Sequence, residues 1–132
     1  MNYLKIFFIT LPTFFLIDMV WLGFVAKNFY RKYLGNMMGD VNWLSAIIFY
    51  ILFIIALIYF VISPAIVANS WGKLIISAVL FGLVTYATYD LTNLATLKNW
   101  PLIVTIVDII WGMVLSTLVS VVVFFIYTKF LR

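Results

Sequence analysis

The run Leu74–Tyr127 reads LIISAVLFGLVTYATYDLTNLATLKNWPLIVTIVDIIWGMVLSTLVSVVVFFIY. Its two apolar stretches, about Leu74–Leu97 and about Leu102–Tyr127, each exceed the roughly 20 residues an α-helix needs to cross a bilayer. Lys98, Asn99, Trp100 and Pro101 lie between them. So short a link predicts an antiparallel hairpin of two membrane helices. The charged residues of the run are Asp90, Lys98 and Asp108. A charge in hydrocarbon is costly, so carboxyls kept inside both spans are the first sign of chemistry.

Two more spans precede the hairpin, at about Ile6–Ala26 and about Trp43–Ile62. Pro64 is expected to end the second, because the residue before a proline is pushed away from helical angles. The first exceeds the core of a secretory signal, carries Asp18, and has no small-x-small cleavage site before Lys27. It reads as a permanent span. The expected fold is all-α, a four-helix transmembrane bundle forming a single transmembrane domain over residues 1–132.

Composition agrees. Of 132 residues, 67% are hydrophobic and 9% charged, against about 45–50% and about 25% in soluble domains. Such a chain has too little polar surface for a soluble globule, a disordered tail or a nucleic-acid module. Cys and His are absent, and so are Glu and Gln. Thiol chemistry, disulfides and the commonest general base and metal ligand are thereby removed. The acids are Asp18, Asp40, Asp90 and Asp108. The cations sit near span ends, as interfacial anchors. Lys5, Lys73, Lys129 and Arg132 fall on one side of the membrane, side A. Lys27, Arg31, Lys32 and Lys98 fall on the other, side B. With the two sides tied, the positive-inside rule assigns no orientation.

Between the first two spans, Tyr30, Tyr33, Leu34, Met37, Met38 and Val41 recur at helical spacing. Lys27, Asn28, Arg31, Lys32 and Asn36 fall largely elsewhere on the wheel. The pattern predicts an amphipathic helix lying in the headgroup region, ending near Gly39. The other reading is an aromatic-rich loop.

Asp18 lies eight residues before Ala26, Asp90 eight before Lys98, and Asp108 seven after Pro101. At about 1.5 Å per residue, all three sit roughly 10–12 Å in from side B. If the hairpin centres on Asn99, depth pairs Asp90 with Asp108, Asn93 with Thr105, Tyr86 with Gly112 and Gly82 with Ser116. Tyr86, Asp90 and Asn93 share one helical face; Asp108, Trp111 and Gly112 share another. Asp18 and Trp21 share a face of the first helix, and Tyr50 reaches a similar depth. One polar site is therefore expected from Asp18, Trp21, Tyr50, Tyr86, Asp90, Asn93, Thr105, Asp108 and Trp111, opening toward side B. With no cation at that depth, three ionised carboxyls would repel. At least one is expected to be protonated, or a bound cation to compensate. The plain alternative is a polar network that only holds helices together. Thr85, Thr88, Thr92 and Thr96 read as packing, and Trp43, Trp71 and Trp100 as interfacial belt residues. The phrase Asp18-Met-Val-Trp21-Leu-Gly23 is echoed by Asp108-Ile-Ile-Trp111-Gly112, an echo that composition alone can produce.

The run Tyr86-Ala-Thr-Tyr-Asp90-Leu-Thr-Asn93-Leu-Ala-Thr-Leu-Lys98, with Trp100-Pro101, Thr105-Ile-Val-Asp108 and Trp111-Gly112, resembles the signature of a bacterial family of small membrane proteins, domain of unknown function 2177. Asp18…Trp21-Leu-Gly23, Phe49-Tyr50 and Pro64-Ala65 are similar to it as well. The resemblance implies a bacterial multi-pass protein of the inner membrane. It supplies no activity, substrate or cofactor.

Three functions follow from these residues. The first is binding or transport of a small solute or a proton at the Asp cluster. Four helices can hardly enclose a wide pathway, so transport would call for a homodimer in the lipid bilayer. The second is a lipid-modifying enzyme in which Asp90 and Asp108 divide acid and base roles, with a hard cation held by oxygen ligands as an option. An intramembrane aspartyl protease is disfavoured, since the glycine-rich motif expected around its second Asp is missing. The third is a structural or assembly role.

Overall fold

The computed structural model describes residues Met1–Arg132, and every regular element is helical. Helix α1, Tyr3–Val20, continues into a π-helical turn, Trp21–Val25. Helix α2, Lys27–Leu34, runs into a 3-10 turn, Gly35–Met37. Helix α3, Trp43–Leu57, passes through a second π turn, Ile58–Ile62, into α4, Ser63–Ala68. Helix α5 is Trp71–Thr96, and α6 is Leu102–Ile126 followed by a third π turn, Tyr127–Leu131. Four continuous rods are long and apolar enough to span a membrane: Tyr3–Val25, Trp43–Ala68, Trp71–Thr96 and Leu102–Leu131. The fold is an all-α four-helix membrane bundle. The last rod has 30 residues. At about 1.5 Å each it outruns a hydrocarbon core roughly 30 Å thick, which leaves Lys129 and Arg132 at the side-A headgroups.

Polar residues ahead of each apolar run set the starts. The side chains of Asn2, Asn42 and Ser70 accept the backbone N–H of Lys5, Ser45 and Lys73. Each satisfies a donor that the first helical turn leaves unpaired. Asn99, at φ 61°, turns the chain between α5 and α6. Around the bundle, α1 packs on α6 and on α3, and α5 packs on α6. The backbone of the second rod approaches α5 mainly through the Ile58–Ile62 turn and α4, on the side-A half. Toward side B the two splay apart. The core lies on the side-A half, where Ile6, Ile54, Leu57, Ile62, Leu74 and Val123 are fully buried. Leu4, Phe8, Leu16 and Ile76 point outward, as lipid-facing residues should.

The α5–α6 pair is the tightest in the bundle, and glycines permit it. A Cβ on Gly82 would overlap the Gly112 carbonyl and the Met113 backbone, and one on Gly112 would overlap the Tyr86 ring. Close backbone approach at small residues is how membrane helices gain packing where no hydrophobic drive separates protein from lipid. The expected match of Tyr86 with Gly112 is seen. The nearest atoms to Gly82 are the Gly112 carbonyl and the Met113 backbone, so the two glycines let the rods come this close.

Two expectations are corrected. Pro64 does not end the second span. The backbone N–H of Ser63 reaches the Ile58 carbonyl, the i→i−5 spacing of a π turn, and the rod continues to Ala68. The π turn shifts the carbonyl ladder by one residue just before the proline ring, a local adjustment that membrane helices tolerate. The rod stops instead at Asn69, which takes left-handed angles and donates its N–H to Ile66. The amphipathic helix is likewise shorter than expected. It loosens at Gly35, a poor helix former, and Met38 is already extended.

Candidate functional site

Where the second rod and α5 diverge, a cavity of about 400 Å³ opens on the side-B half of the bundle. The Tyr50 and Tyr86 rings line it and rest on further aromatic rings behind them. Phe14 meets Tyr50 edge-on at 5.3 Å, and Phe53 meets Phe81 at 5.3 Å and Tyr86 at 6.2 Å. Ala46 and Phe49 of α3 and Thr85 and Tyr89 of α5 line its walls. Phe49 and Tyr89 are exposed, so the mouth faces sideways, between two spans.

Six of the nine residues singled out from sequence line this cavity: Asp18, Trp21, Tyr50, Tyr86, Asp108 and Trp111. Asp18 accepts the Tyr50 hydroxyl at 2.9 Å and the Trp111 indole N–H at 3.4 Å. The indoles of Trp21 and Trp111 stack at 4.5 Å with planes 8° apart, closing α1 onto α6. Such a pair contributes about 0.5–1.5 kcal/mol beyond its burial. The Tyr86 ring is held against Gly112, so the close approach of α5 and α6 fixes its place among the carboxyls.

Asp90 stands behind this wall. It is fully buried, and no N–H or hydroxyl donor reaches either of its oxygens. Its neighbour is the carboxyl of Asp108, within hydrogen-bond reach once one of the two carries a proton. The depth match across the hairpin thus brings these two groups together. An unpaired carboxylate in such surroundings would be costly, whereas one proton between two carboxyls supplies the missing donor.

Thr105 and Asn93 do not line the cavity. The Thr105 hydroxyl accepts the Trp100 indole N–H at 3.0 Å and donates to the Asp90 carbonyl at 3.4 Å. It clamps the hairpin turn instead of facing a ligand. Asn93 is half-buried, one turn nearer side B than Asp90. The threonine stripe bonds to its own helix, with Thr85 also lining the cavity and Thr88, Thr92 and Thr96 exposed. Thr85, Thr88, Thr92 and Thr96 each donate back to the carbonyl four residues earlier.

Sequence reading missed one residue. Tyr30 of α2 lines the cavity, donates its hydroxyl to Asp108 and accepts the Trp21 indole N–H at 3.4 Å. Its wheel position puts it on one apolar stripe with Tyr33, Met37 and Met38, expected to meet lipid or the side-B end of the bundle. Those three are exposed, while Tyr30 turns into the bundle. No sequence signal marks it: only the structure shows Ala26, four residues earlier at the start of α2, to be fully buried on the same side. Burial, and then the hydrogen bond to Asp108, push the Tyr30 phenol well above its ordinary value of 10.0. It stays a donor throughout the neutral range.

The residues around the cavity offer carboxylate and phenol oxygens, indole N–H groups and ring faces. No Lys or Arg lines it, and no set of three His, Cys, Asp or Glu is grouped to chelate a metal ion. No curated protein and no solved structure matches the chain. The family described as "Predicted membrane protein (DUF2177)" matches residues 3–125, and the chain belongs to that family.

Proposed function

We propose that the protein binds a small solute or a proton at its intramembrane aspartates and passes it across the bacterial inner membrane, as a multi-pass carrier working as a homodimer. The observation that carries this reading is the cavity of about 400 Å³ lined by Asp18 and Asp108, with the buried Asp90 against Asp108. Intramembrane carboxyls are rare, and their usual uses are proton relays and substrate paths. A carboxyl pair that needs a proton to be satisfied can give it up when a positive charge arrives. The dimer enters because the cavity reaches only the side-B half of one bundle, so a second copy would complete a route.

The sideways mouth lends some support to a lipid-modifying enzyme instead. Against it, only Asp108 of the Asp90–Asp108 pair reaches the cavity, so the two could not act on one substrate from both sides. The test is flux. Purified protein in liposomes is loaded with a pH-sensitive dye, and an imposed pH gradient is followed with the wild type and with Asp90→Asn and Asp108→Asn. Faster collapse of the gradient by the wild type, abolished in both variants, is the expected result. Rates equal to those of empty liposomes would defeat the proposal, and chemical change in the lipids would favour the enzyme.

A further inference from the structure

We infer that the ligand of this cavity is a monovalent organic cation, an ammonium group carrying an apolar body, a reading that rests on the solute-site proposal above. Charge comes first. Asp18 and Asp108 line the cavity, no Lys or Arg does, and Asp90 lies buried behind without a donor. One positive charge is what the arrangement lacks.

The walls select the kind of cation. The stacked indoles of Trp21 and Trp111 stand beside the two carboxyls, and the Tyr50 and Tyr86 rings line the cavity with them. Ring faces attract weakly hydrated cations, above all alkylammonium groups, by about 2 kcal/mol when desolvated. A bare metal ion would be poorly served. Asp18 already accepts two donors and Asp108 accepts Tyr30, and no chelating group of three is present.

Size and access select the body. About 400 Å³ is far more than an ammonium head fills, and it falls within the range of ordinary small-molecule pockets. The sideways mouth, walled by Ala46, Phe49 and Tyr89, lets a hydrocarbon portion lie between the spans while the charge rests on the aspartates. The titratable groups facing that charge are Asp18 from α1, Tyr30 from α2, Tyr50 from α3, Tyr86, Tyr89 and Asp90 from α5, and Asp108 from α6. Asp90 has no donor other than a proton shared with Asp108, so entry of one cation would displace up to one such proton to water.

The test uses benzyltrimethylammonium and its uncharged carbon isostere, neopentylbenzene. Protein in phosphatidylglycerol nanodiscs is titrated with each, following quenching of tryptophan emission and the pH of a weakly buffered solution. Saturable quenching with proton release is expected for the cation alone, weakened at least about tenfold in Asp18→Asn and in Asp108→Asn. Circular dichroism checks that each variant folds. If Asp108→Asn does not, Asp18→Asn carries the same expectation. Adding phosphatidylethanolamine separates two sources of the same chemistry. Competition assigns the site to a lipid headgroup amine, and no competition assigns it to a free amine. Equal binding of the neutral isostere, or cation binding unchanged in the variants, would overturn the cation class. So would failure of either probe to bind while Asp108-dependent proton flux persists, which leaves the broader reading standing. Absence of both binding and flux defeats the two together.

Discussion

Tyr30 and Asp108 show how a single side chain can tie a surface helix to a buried site. Tyr30→Phe keeps the ring and removes the donor to Asp108. Hydrogen bonds to charged or strongly polar groups contribute about 1–3 kcal/mol, so a loss in that range is expected in thermal unfolding in detergent. The pH dependence has a definite sign. The folded protein holds the Tyr30 proton more tightly than the unfolded chain does. Its contribution is therefore complete below the ordinary value of 10.0 and is lost as the pH climbs above it. Wild type should lose stability faster than Tyr30→Phe on passing into that alkaline range, and superimposable curves would contradict the docking of Tyr30. Asp108 supplies the companion test. Asp108→Asn keeps an acceptor for Tyr30 and should cost less than Asp108→Leu, which leaves the phenol O–H without an acceptor. An equal effect of the two on unfolding temperature would remove Asp108 from the network.

The helical rods and their hairpin could be read from apolar run length and from the shortness of Lys98–Pro101. The site was half legible for the same reason. Counting at a fixed rise places Asp18, Asp90 and Asp108 at one depth, and rise is a property of any helix. What counting cannot see is a change of helix type. The π turn at Ile58–Ile62 carries the second rod past Pro64, and the one at Trp21–Val25 joins α1 to α2, whose Tyr30 enters the bundle. Neither has a signature in hydropathy. Depth says nothing about how a side chain is already engaged, and Thr105 is bonded to Trp100 and to the Asp90 carbonyl. The glycine pair gives a prediction at this scale. Gly82→Ala must push the α5 and α6 backbones apart, with an expected loss of about 1–3 kcal/mol. Gly112→Ala displaces the Tyr86 ring, so it should disturb tryptophan emission from the site as well as stability. A neutral Gly82→Ala in thermal unfolding would contradict the close approach.

For the whole molecule, the even split of Lys and Arg between the two sides leaves orientation to be measured. The absence of Cys makes that simple, since any introduced thiol is unique. Asn36→Cys on side B and Gly72→Cys on side A are both exposed positions. A membrane-impermeant thiol reagent applied to intact spheroplasts should label one of them and spare the other. Partial labelling of both would mean insertion in two orientations. Complete labelling of both would contradict a bundle of four spans.

The stack of Trp21 on Trp111 joins the first span to the last. Asp18 depends on the same distant partner, Trp111, and on Tyr50. During synthesis, then, the first helix must leave the ribosome and enter lipid with its carboxyl unaccompanied. Tyr50 arrives one span later, and the site closes only when the final helix is delivered. An Asp costs about 2.5–3.5 kcal/mol at the very centre of an inserting helix, an upper bound for Asp18. The apolar residues around Asp18 must carry that cost alone in the interval. Chains interrupted before α6 would leave Asp18, Trp21, Tyr30 and Asp90 without their α6 partners in the bilayer and should be cleared by membrane proteases. The order of the genetic message thus sets the order in which this cavity can exist.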